Sequence, residues 1–301
     1  MTRRLYFMTL FPMSSILQEA IKQEYAVGLF VAADNSFIKP IIEAADEVHS
    51  PVIVGGHFDY FQSNIDVKVF ARTVKAYAET VNIPVVLHLD HGTNLQEIMV
   101  CIREGFNSIM FDGSTYPLET NIRITKKIEN IVRSVDVSIE AEINEIPLDT
   151  DLTQLPVPVS KMTKPEIAAR FAKETKVDSL AIAVGQIHRT PKREGTFHKI
   201  LPLGQLNFDR IKAIRKATDV ALCLHGCTHT PEEQIKKAVQ LGVSKVNIGT
   251  ALLIAHVDSI HKTFQVNPNV FEADQIILPS QNSVKKVVKR KINVLGSANK
   301  W

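Results

Sequence analysis

The chain has 301 residues, of which 45% are hydrophobic and 22% are charged, and its formal net charge is +3. This composition is typical of a globular protein with a sizeable core, and so small and evenly spread a charge argues against a nucleic-acid-binding surface. The chain has 3 cysteines, too few for a disulfide framework, so we expect a cytoplasmic protein. No apolar run approaches the roughly 20 residues that a membrane-spanning helix needs, so no membrane is expected among the partners.

The chain starts with MTRRLYFMTLFPMSS, which combines two arginines with a short apolar patch, as signal peptides do. Pro12 interrupts the patch and no small-residue cleavage site follows, so residues 1–12 are predicted to be a leading extension. The next stretch, SSILQEAIKQ, predicts a helix that plugs or flanks the fold. Near the other end, the basic run VKKVVKRKI from Val284 to Ile292 is predicted to be the solvated face of a helix rather than an anion-binding patch.

Eight short apolar runs alternate along the chain with longer amphipathic stretches. They are YAVGLFVA from Tyr25, SPVIVGG from Ser50, IPVVLHLDH from Ile83, NSIMFDG from Asn107, VSIEAEI from Val137, DSLAIAVG from Asp178, VALCLHG from Val220 and SKVNIGT from Ser244. Continuous apolar runs are typical of parallel strands that are buried on both faces. No glycine-rich dinucleotide turn follows an early strand, which disfavours an open doubly wound sheet. The pattern predicts a single α/β domain over residues 1–301, a (β/α)8 TIM barrel.

The stretches between these runs carry signals for helix boundaries. Asn94 and Gly105 are expected to begin and end the helix after the third strand. Thr230 is expected to cap the helix after the seventh strand, with Pro231 at its first position. The longest stretch without periodicity, residues 144–166, follows the fifth strand, so we predict that it is an active-site loop.

Polar side chains collect where the predicted strands end, and barrels of this kind place their active sites at those carboxyl ends. The residues in question are His88, Asp90 and His91 on the third strand, Asp112 on the fourth, Glu140 and Glu142 on the fifth, His188 after the sixth, His225 after the seventh, and Asn247 and Thr250 at the end of the eighth. This arrangement predicts one polar site at the mouth of the barrel.

Three of these histidines come from three different strand ends. A catalytic zinc ion typically takes three protein ligands and leaves one position open, so His91, His188 and His225 are predicted to hold Zn²⁺. Strand alternation puts Asp90 on the same side as His88, towards the barrel mouth. A carboxylate there can move a proton while the metal polarises a carbonyl group. His88 is predicted to be a buried residue that supports the ligands or packs in the core, rather than a ligand itself.

An anion site is predicted beside the metal site. Backbone N–H groups at helix N-termini attract anions, and these barrels tend to form phosphate sites from the loops after strands seven and eight. Gly226 and Thr228 supply such groups after the seventh strand, and Asn247 and Thr250 add side-chain donors after the eighth. For either threonine alone, a helix cap with nothing bound explains the residue equally well.

These motifs resemble the class II, metal-dependent fructose-bisphosphate and tagatose-bisphosphate aldolase family over nearly the whole chain. VVLHLDHGTNLQEI is similar to the family's first zinc motif, DSLAIAVGQIH to the second and VALCLHG to the third. EGFNSIMFDGSTYPLETNIRIT and VSIEAEI follow in the family's order. GVSKVNIGTAL resembles the substrate-binding strand, and VLGSANK resembles the closing segment.

The resemblance implies reversible aldol cleavage of a phosphorylated ketose to a dihydroxyacetone-phosphate-type enediolate and an aldehyde. It implies that Asp90 is the catalytic acid/base and that the three histidines bind zinc. Asp112 and Glu142 match family positions associated with a buried alternative metal position, and a monovalent cation is expected as a further cofactor. The residues implied at the substrate are Asn247 for the ketose or enediolate, and Thr228 and Thr250 for the phosphate. The family suggests a homodimer or homotetramer.

The chain departs from the family's pattern at the phosphate loop and at the lid. The family's loop reads roughly His-Gly-Gly-Ser-Gly, whereas this chain has His225-Gly226-Cys227-Thr228-His229. Arg189 stands where a glycine usually follows the second zinc histidine. Its guanidinium group either binds an anion or forms a salt bridge at the rim of the site. The family's glycine-rich loop after strand five supplies a second acid/base. Here the candidates are Glu145, Asp149 and Asp151.

Two alternatives to this function stay open. The altered phosphate loop favours a metal-binding barrel of the same kind that acts on a different substrate. The altered lid favours a non-catalytic subunit or binding protein, although such a protein has little need of Asp90.

Overall fold

The computed structural model describes residues 10–63, 65–147, 156–188 and 205–301. Its strands are β1 (Val27–Val31), β2 (Val52–His57), β3 (Val85–Gly92), β4 (Ser108–Asp112), β5 (Ser138–Glu142), β6 (Ser179–Ala181), β7 (Ala221–Leu224) and β8 (Val243–Ile248). Each strand pairs in parallel with the next along the chain, and β8 closes the barrel on β1. Each predicted apolar run contributes one of these strands, and the predicted TIM barrel is confirmed.

At least one helix follows every strand. The α-helices of the described ranges are α1 (Met13–Lys22), α2 (Ile38–Asp46), α3 (Phe58–Ser63), α4 (Val67–Ala78), α5 (Leu95–Glu104), α6 (Leu118–Arg133), α7 (Pro165–Thr175), α8 (Phe208–Ala217), α9 (Glu232–Gln240), α10 (Thr250–Val266) and α11 (Ala273–Leu295). The main core lies between the strands and the surrounding helices. None of the described helices is long and apolar enough to cross a membrane.

Helix α1 plugs the N-terminal end of the barrel. The backbone N–H of Phe11 donates to the carbonyl oxygen of Val85 at 2.9 Å, and that of Ser14 donates to Ser138 Oγ at 3.1 Å. Val85 and Ser138 each begin a strand, so the segment crosses the barrel end. Its apolar face packs in a cluster with inward-facing strand residues. The members of this cluster are Met13, Ile16, Leu17, Ala20, Tyr25, Val27, Leu29, Ile53, Val86 and Ala221.

The predicted boundaries of α5 agree with the structure, whereas the predicted start of α9 does not. Asn94 Oδ1 accepts from the backbone N–H of Glu97 at 3.0 Å, and Gly105 ends α5 with a φ of 93°. Thr230, however, does not cap α9, which begins at Glu232 after Pro231. The backbone N–H of Thr230 instead bonds to the carbonyl oxygen of Cys227 at 3.3 Å. This closes a short 3-10 helix over 227–229, and two extended residues then separate that turn from α9.

The basic run lies on α11, but much of it pairs with carboxylates. Lys285 Nζ lies 3.1 Å from Glu43 Oε2, and Lys289 pairs with Glu47. Lys291 Nζ lies 2.9 Å from Glu232 Oε1 and is buried. The prediction of a solvated face is therefore wrong for Lys291, because the start of α9 covers it and neutralises its charge.

Candidate active site

A cavity of about 220 Å³ opens at the carboxyl ends of the strands. The predicted site residues that line it are Asp90, His91, His188, His225, Gly226, Thr228, Asn247 and Thr250. Among the other candidates, Glu145 is exposed and is not in the lining. Arg189, Asp149 and Asp151 lie outside the described residues.

The end of β3 turns two consecutive side chains into this cavity. Asp90 and His91 both line it, although successive residues of a regular strand point to opposite faces. The register between β3 and β4 shifts between Leu89 and Gly92, and His91 has a φ of 54°. Such a left-handed conformation is uncommon for a residue other than glycine. The irregularity brings the imidazole to the same side as the carboxylate.

Each of two imidazoles is oriented by a carboxylate. His91 Nδ1 lies 2.8 Å from Asp112 Oδ2, and His225 Nε2 lies 2.9 Å from Glu140 Oε1. An ionised carboxylate can only accept hydrogen bonds, so each of these ring nitrogens carries the hydrogen and donates it. The other two ring nitrogens, His91 Nε2 and His225 Nδ1, face each other at 3.0 Å.

The three predicted metal ligands have suitable spacing for one ion. One nitrogen from each of His91, His188 and His225 lies within 4.8 Å of the others. Burial opposes the charge of His91, but the negative charge of Asp90 and the hydrogen bond with Asp112 raise its pKa to about 10. Burial and the charge of His91 lower the pKa of His188 to about 3, and burial lowers that of His225. These shifts favour one positive charge shared by the three imidazoles, and a bound metal ion would supply that charge. The donor set therefore fits a metal ion.

A second group of possible ligands lies beside the first. His91, Asp112 and Glu142 also have ligand atoms within 4.8 Å of one another. Glu142 Oε2 is buried and has no hydrogen-bond partner among the described residues. Burial and the nearby charge of Asp112 raise the pKa of Glu142 to about 8. An uncompensated buried carboxylate of this kind favours a proton or a cation.

Below the cavity, polar side chains inside the barrel form a continuous network. Asn247 Nδ2 donates to Asp90 Oδ1 at 2.9 Å, and Lys245 Nζ donates to Asn247 Oδ1 at 2.7 Å. Lys245 also contacts Glu140 Oε2 at 3.0 Å. Burial alone would raise the pKa of Glu140, but Lys245 and the bond with His225 hold it well below its usual range. His88 lies apart from this chain of bonds and pairs with Ser108 Oγ at 2.7 Å.

The predicted anion side is built mainly from backbone and hydroxyl groups. Gly226 has a φ of 66°, and a Cβ atom there would lie 2.7 Å from the carbonyl oxygen of Ile187, so this position requires glycine. Thr228 Oγ1 accepts from the backbone N–H of Ala251 at 3.2 Å. Thr250 is the first residue of α10, which runs for 17 residues. The bond between Thr228 and Ala251 ties the loop after β7 to the first turn of α10.

Residues on two parts of the site were not predicted from the sequence. His57 and Tyr60, at the end of β2 and in α3, line the cavity. The His57 ring lies 5.8 Å from that of His91. Burial and the negative charge of Asp90 raise the pKa of Tyr60. Lys245 was not predicted either. It lies two positions before Asn247 in an apolar strand, so its side chain must point to the same inward face of that strand.

The comparison with known proteins agrees with this geometry. The family model "Fructose-bisphosphate aldolase class-II" matches residues 12–300. The chain belongs to the class II fructose-bisphosphate aldolase family. Membership supports an aldolase activity for this chain, and the family is typically metal-dependent, which agrees with the cluster of three imidazoles.

Solved structures of similar proteins share the fold of this family member. The YdjI aldolase from Escherichia coli K12 is 28% identical, with a TM-score of 0.82 over 97% of this chain and 99% of that one. A putative fructose-1,6-bisphosphate aldolase from Coccidioides immitis is 24% identical, with a TM-score of 0.80 over 96% and 97% of the two chains. The fructose-bisphosphate aldolase from Campylobacter jejuni is 20% identical, with a TM-score of 0.80 over 97% of each chain. Identities this low agree with a divergent family member.

Proposed function

We propose that the chain is a zinc-dependent aldolase that reversibly cleaves a phosphorylated ketose to a dihydroxyacetone-phosphate-type enediolate and an aldehyde. The observation that carries this proposal is the convergence of three imidazoles with Asp90 and Asn247 on one cavity. His91, His188 and His225 hold the zinc ion. Asp112 and Glu142 provide its alternative buried position, and a monovalent cation is a further cofactor.

Asp90 takes the proton from the substrate hydroxyl next to the bond that breaks. Burial would raise the pKa of this carboxyl group, but the neighbouring side chains of His91, His225 and Lys245 lower it to about 2. Asp90 is therefore ionised at neutral pH, although a carboxylate this acidic is a weak base towards a free alcohol. When bound, zinc supplies Lewis-acid polarisation of the ketone and makes the neighbouring hydroxyl group more acidic.

Asn247 places its amide N–H group between Asp90 and the substrate. This donor bonds to Asp90 Oδ1 at 2.9 Å and lies on the cavity wall, where negative charge develops on the enediolate. A preorganised donor at such a position stabilises the charge without reorganisation during the reaction.

The phosphate group binds beside the metal site. Gly226, Thr228 and Thr250 line the cavity there, and Thr250 begins α10, whose N-terminus attracts anions. Arg189 is a further candidate contact. We place the second acid/base in the loop 144–166, with the acidic residues Glu145, Asp149 and Asp151 as candidates.

We also propose that the chain forms one domain, assembles as a homodimer or homotetramer and works in the cytoplasm, where its three free cysteines stay reduced.

The proposal is tested by zinc content and by retro-aldol cleavage of fructose and tagatose bisphosphates, for the wild type and for Asp90→Asn. The amide has nearly the same shape as the carboxylate and can still accept the Asn247 hydrogen bond, but it cannot take a proton. We expect Asp90→Asn to bind zinc and to lose at least about 100-fold in kcat, because general-base catalysis contributes about 10²- to 10⁴-fold.

Two results would contradict the proposal in different ways. Zinc binding without cleavage of either bisphosphate or of other phosphorylated ketoses would favour a non-catalytic barrel. Full activity of Asp90→Asn would leave an aldolase but reject Asp90 as its base.

A further inference from the structure

Lys245 is a fully buried ammonium group inside the barrel, below the cavity. Its side chain is 0% exposed and it is not part of the cavity lining. Its Nζ atom lies 2.7 Å from Asn247 Oδ1, 3.0 Å from Glu140 Oε2 and 3.6 Å from Cys223 Sγ. A buried ion pair is a poor source of stability, because a well-packed apolar pair of similar volume is often as stable. The pair therefore calls for a role other than stability.

The hydrogen-bonding chemistry of Lys245 determines which way the Asn247 amide points. An ammonium group has three donors and no acceptor, so only the Oδ1 atom of the amide can face it. Because the amide is planar, its Nδ2 atom then faces the other way, towards Asp90 Oδ1 at 2.9 Å. If the amide were flipped, its NH2 group would face the Lys245 ammonium group, donor against donor. Its oxygen would face the Asp90 carboxylate, acceptor against acceptor. Both neighbours thus favour the same orientation.

Glu140 connects the same ammonium group to the proposed metal ligand His225. Its carboxylate accepts from Lys245 and lies 2.9 Å from His225 Nε2. The Asn247 amide nitrogen is also 3.2 Å from that atom, but the ionised carboxylate is the acceptor, so Nε2 carries the hydrogen. His225 Nδ1 is then left free to bind a metal, as carboxylate–histidine pairs do in metal sites.

We propose that Lys245 is a positioning residue that holds the Asn247 amide with its N–H group towards Asp90 and the substrate. This inference rests on the proposed aldolase function. Lys245 transfers no proton and forms no covalent bond with the substrate. It acts through Asn247, while Glu140 balances its charge and orients His225.

The test is a mutant cycle in the Glu140→Gln background. Lys245→Met alone would leave Glu140 as an unpaired buried carboxylate and could prevent folding, whereas glutamine at that position is neutral and can still accept from His225. In Glu140→Gln alone, Lys245 loses one counter-charge but keeps Asn247 Oδ1 as its acceptor and Asp90 as a nearby negative charge. The four proteins to compare are Glu140→Gln alone and the same variant with Lys245→Met, with Asn247→Ala, and with both. Melting temperature and zinc content report whether each of them is folded and loaded.

We expect Lys245→Met to lower kcat on the order of 10- to 100-fold when Asn247 is present, since a misplaced donor loses most of what a transition-state hydrogen bond contributes. KM should change less than about twofold, because the anion side is unaltered. In the Asn247→Ala background, Lys245→Met should have almost no further effect on kcat, because residues that act as one unit are not additive. Equal losses in both backgrounds would reject positioning and indicate a general structural role.

A second measurement does not depend on turnover. In the purified protein labelled with ¹⁵N, one of the Asn247 side-chain amide hydrogens should exchange slowly with solvent, because Asp90 accepts it inside the barrel. Glu140→Gln should keep this protection and the added Lys245→Met should remove it. Unchanged protection would overturn the proposal. If the wild type cleaves no ketose phosphate, the proposed function fails, and the amide measurement still decides the role of Lys245.

Borohydride reduction in the presence of the ketose bisphosphate gives an independent check. A lysine that formed an imine with the substrate carbonyl would be alkylated on reduction. We expect mass spectrometry to find Lys245 unmodified, whereas a substrate adduct there would show that it acts covalently.

Discussion

The proposed metal side of the cavity, around His91, His188 and His225, and the proposed anion side, around Gly226, Thr228 and Thr250, are built in different ways. On the metal side, imidazoles are held by carboxylates at 2.8 and 2.9 Å, and these contacts fix which ring nitrogen is free. On the anion side, the described contacts are a left-handed glycine, one hydroxyl bond at 3.2 Å and the start of α10. The metal side therefore depends on the identity of each side chain, whereas the anion side depends on the course of the backbone. Substitutions should be far more damaging on the first than on the second.

The largest effect is expected for His225→Ala on the metal side. Loss of a ligand removes the Lewis acid, which contributes several kcal/mol to transition-state stabilisation, so kcat should fall on the order of 10³-fold or more. Elemental analysis should show less than one metal ion per chain. The matched control is His88→Asn, which changes another buried histidine of the barrel interior and should keep its metal. If His88→Asn lost its metal and His225→Ala kept it, His88 rather than His225 would be the ligand.

An intermediate effect is expected for Asp112→Asn. The amide can bond to His91 Nδ1 from either end, so it no longer fixes the tautomer of the ring. Metal affinity, measured by competition with a chelator, should fall on the order of 10- to 100-fold. Ser114→Ala removes a hydroxyl donor that lies 2.7 Å from Asp112 Oδ1 and should cost less than Asp112→Asn. Equal affinity in wild type and Asp112→Asn would mean that packing alone orients the imidazole.

The smallest effect is expected on the anion side, for Thr228→Val. The substitution keeps the shape but removes the hydroxyl group that accepts from Ala251, and one neutral hydrogen bond contributes about 0.5–1.5 kcal/mol. KM for the phosphorylated substrate should rise about three- to tenfold, with kcat nearly unchanged. Thr228→Ser retains the hydroxyl and should behave like the wild type. A loss in Thr228→Val as large as that in His225→Ala would abolish the contrast between the two sides.

Much of this molecule is encoded in short-range patterns. Each strand lies within a predicted apolar run or extends at most one residue beyond it, and Asn94 and Gly105 limit α5 as their chemistry predicts. The residues predicted to line the cavity could be found because the carboxyl ends of barrel strands meet at one end of the sheet. That rule requires only the order of the strands, which the sequence shows directly.

Features that depend on register or on exact backbone course could not be predicted. His91 faces the cavity because β3 is irregular, and regular alternation would have pointed it away. The contact between Lys245 and Glu140 joins strands that are not neighbours in the barrel, so neither residue alone indicates the other. Thr230 looks like a helix cap, but α9 begins only at Glu232, and the Thr230 hydroxyl group has no hydrogen-bond partner among the described residues.

The plug formed by α1 has a consequence for the chemistry at the opposite end of the barrel. Met13 Sδ lies 3.2 Å from Ser108 Oγ, which in turn contacts His88, a buried residue close to Lys245 and Glu140 but outside their chain of hydrogen bonds. The plug thus keeps bulk water away from the charges of Lys245 and Glu140, and their attraction is stronger in a medium of low dielectric constant. A chain shortened past Met13 would let water reach these buried residues from below and screen those charges. Shortening the chain at the far end of the barrel would then slow catalysis at the cavity, although every residue that touches the substrate would still be in place.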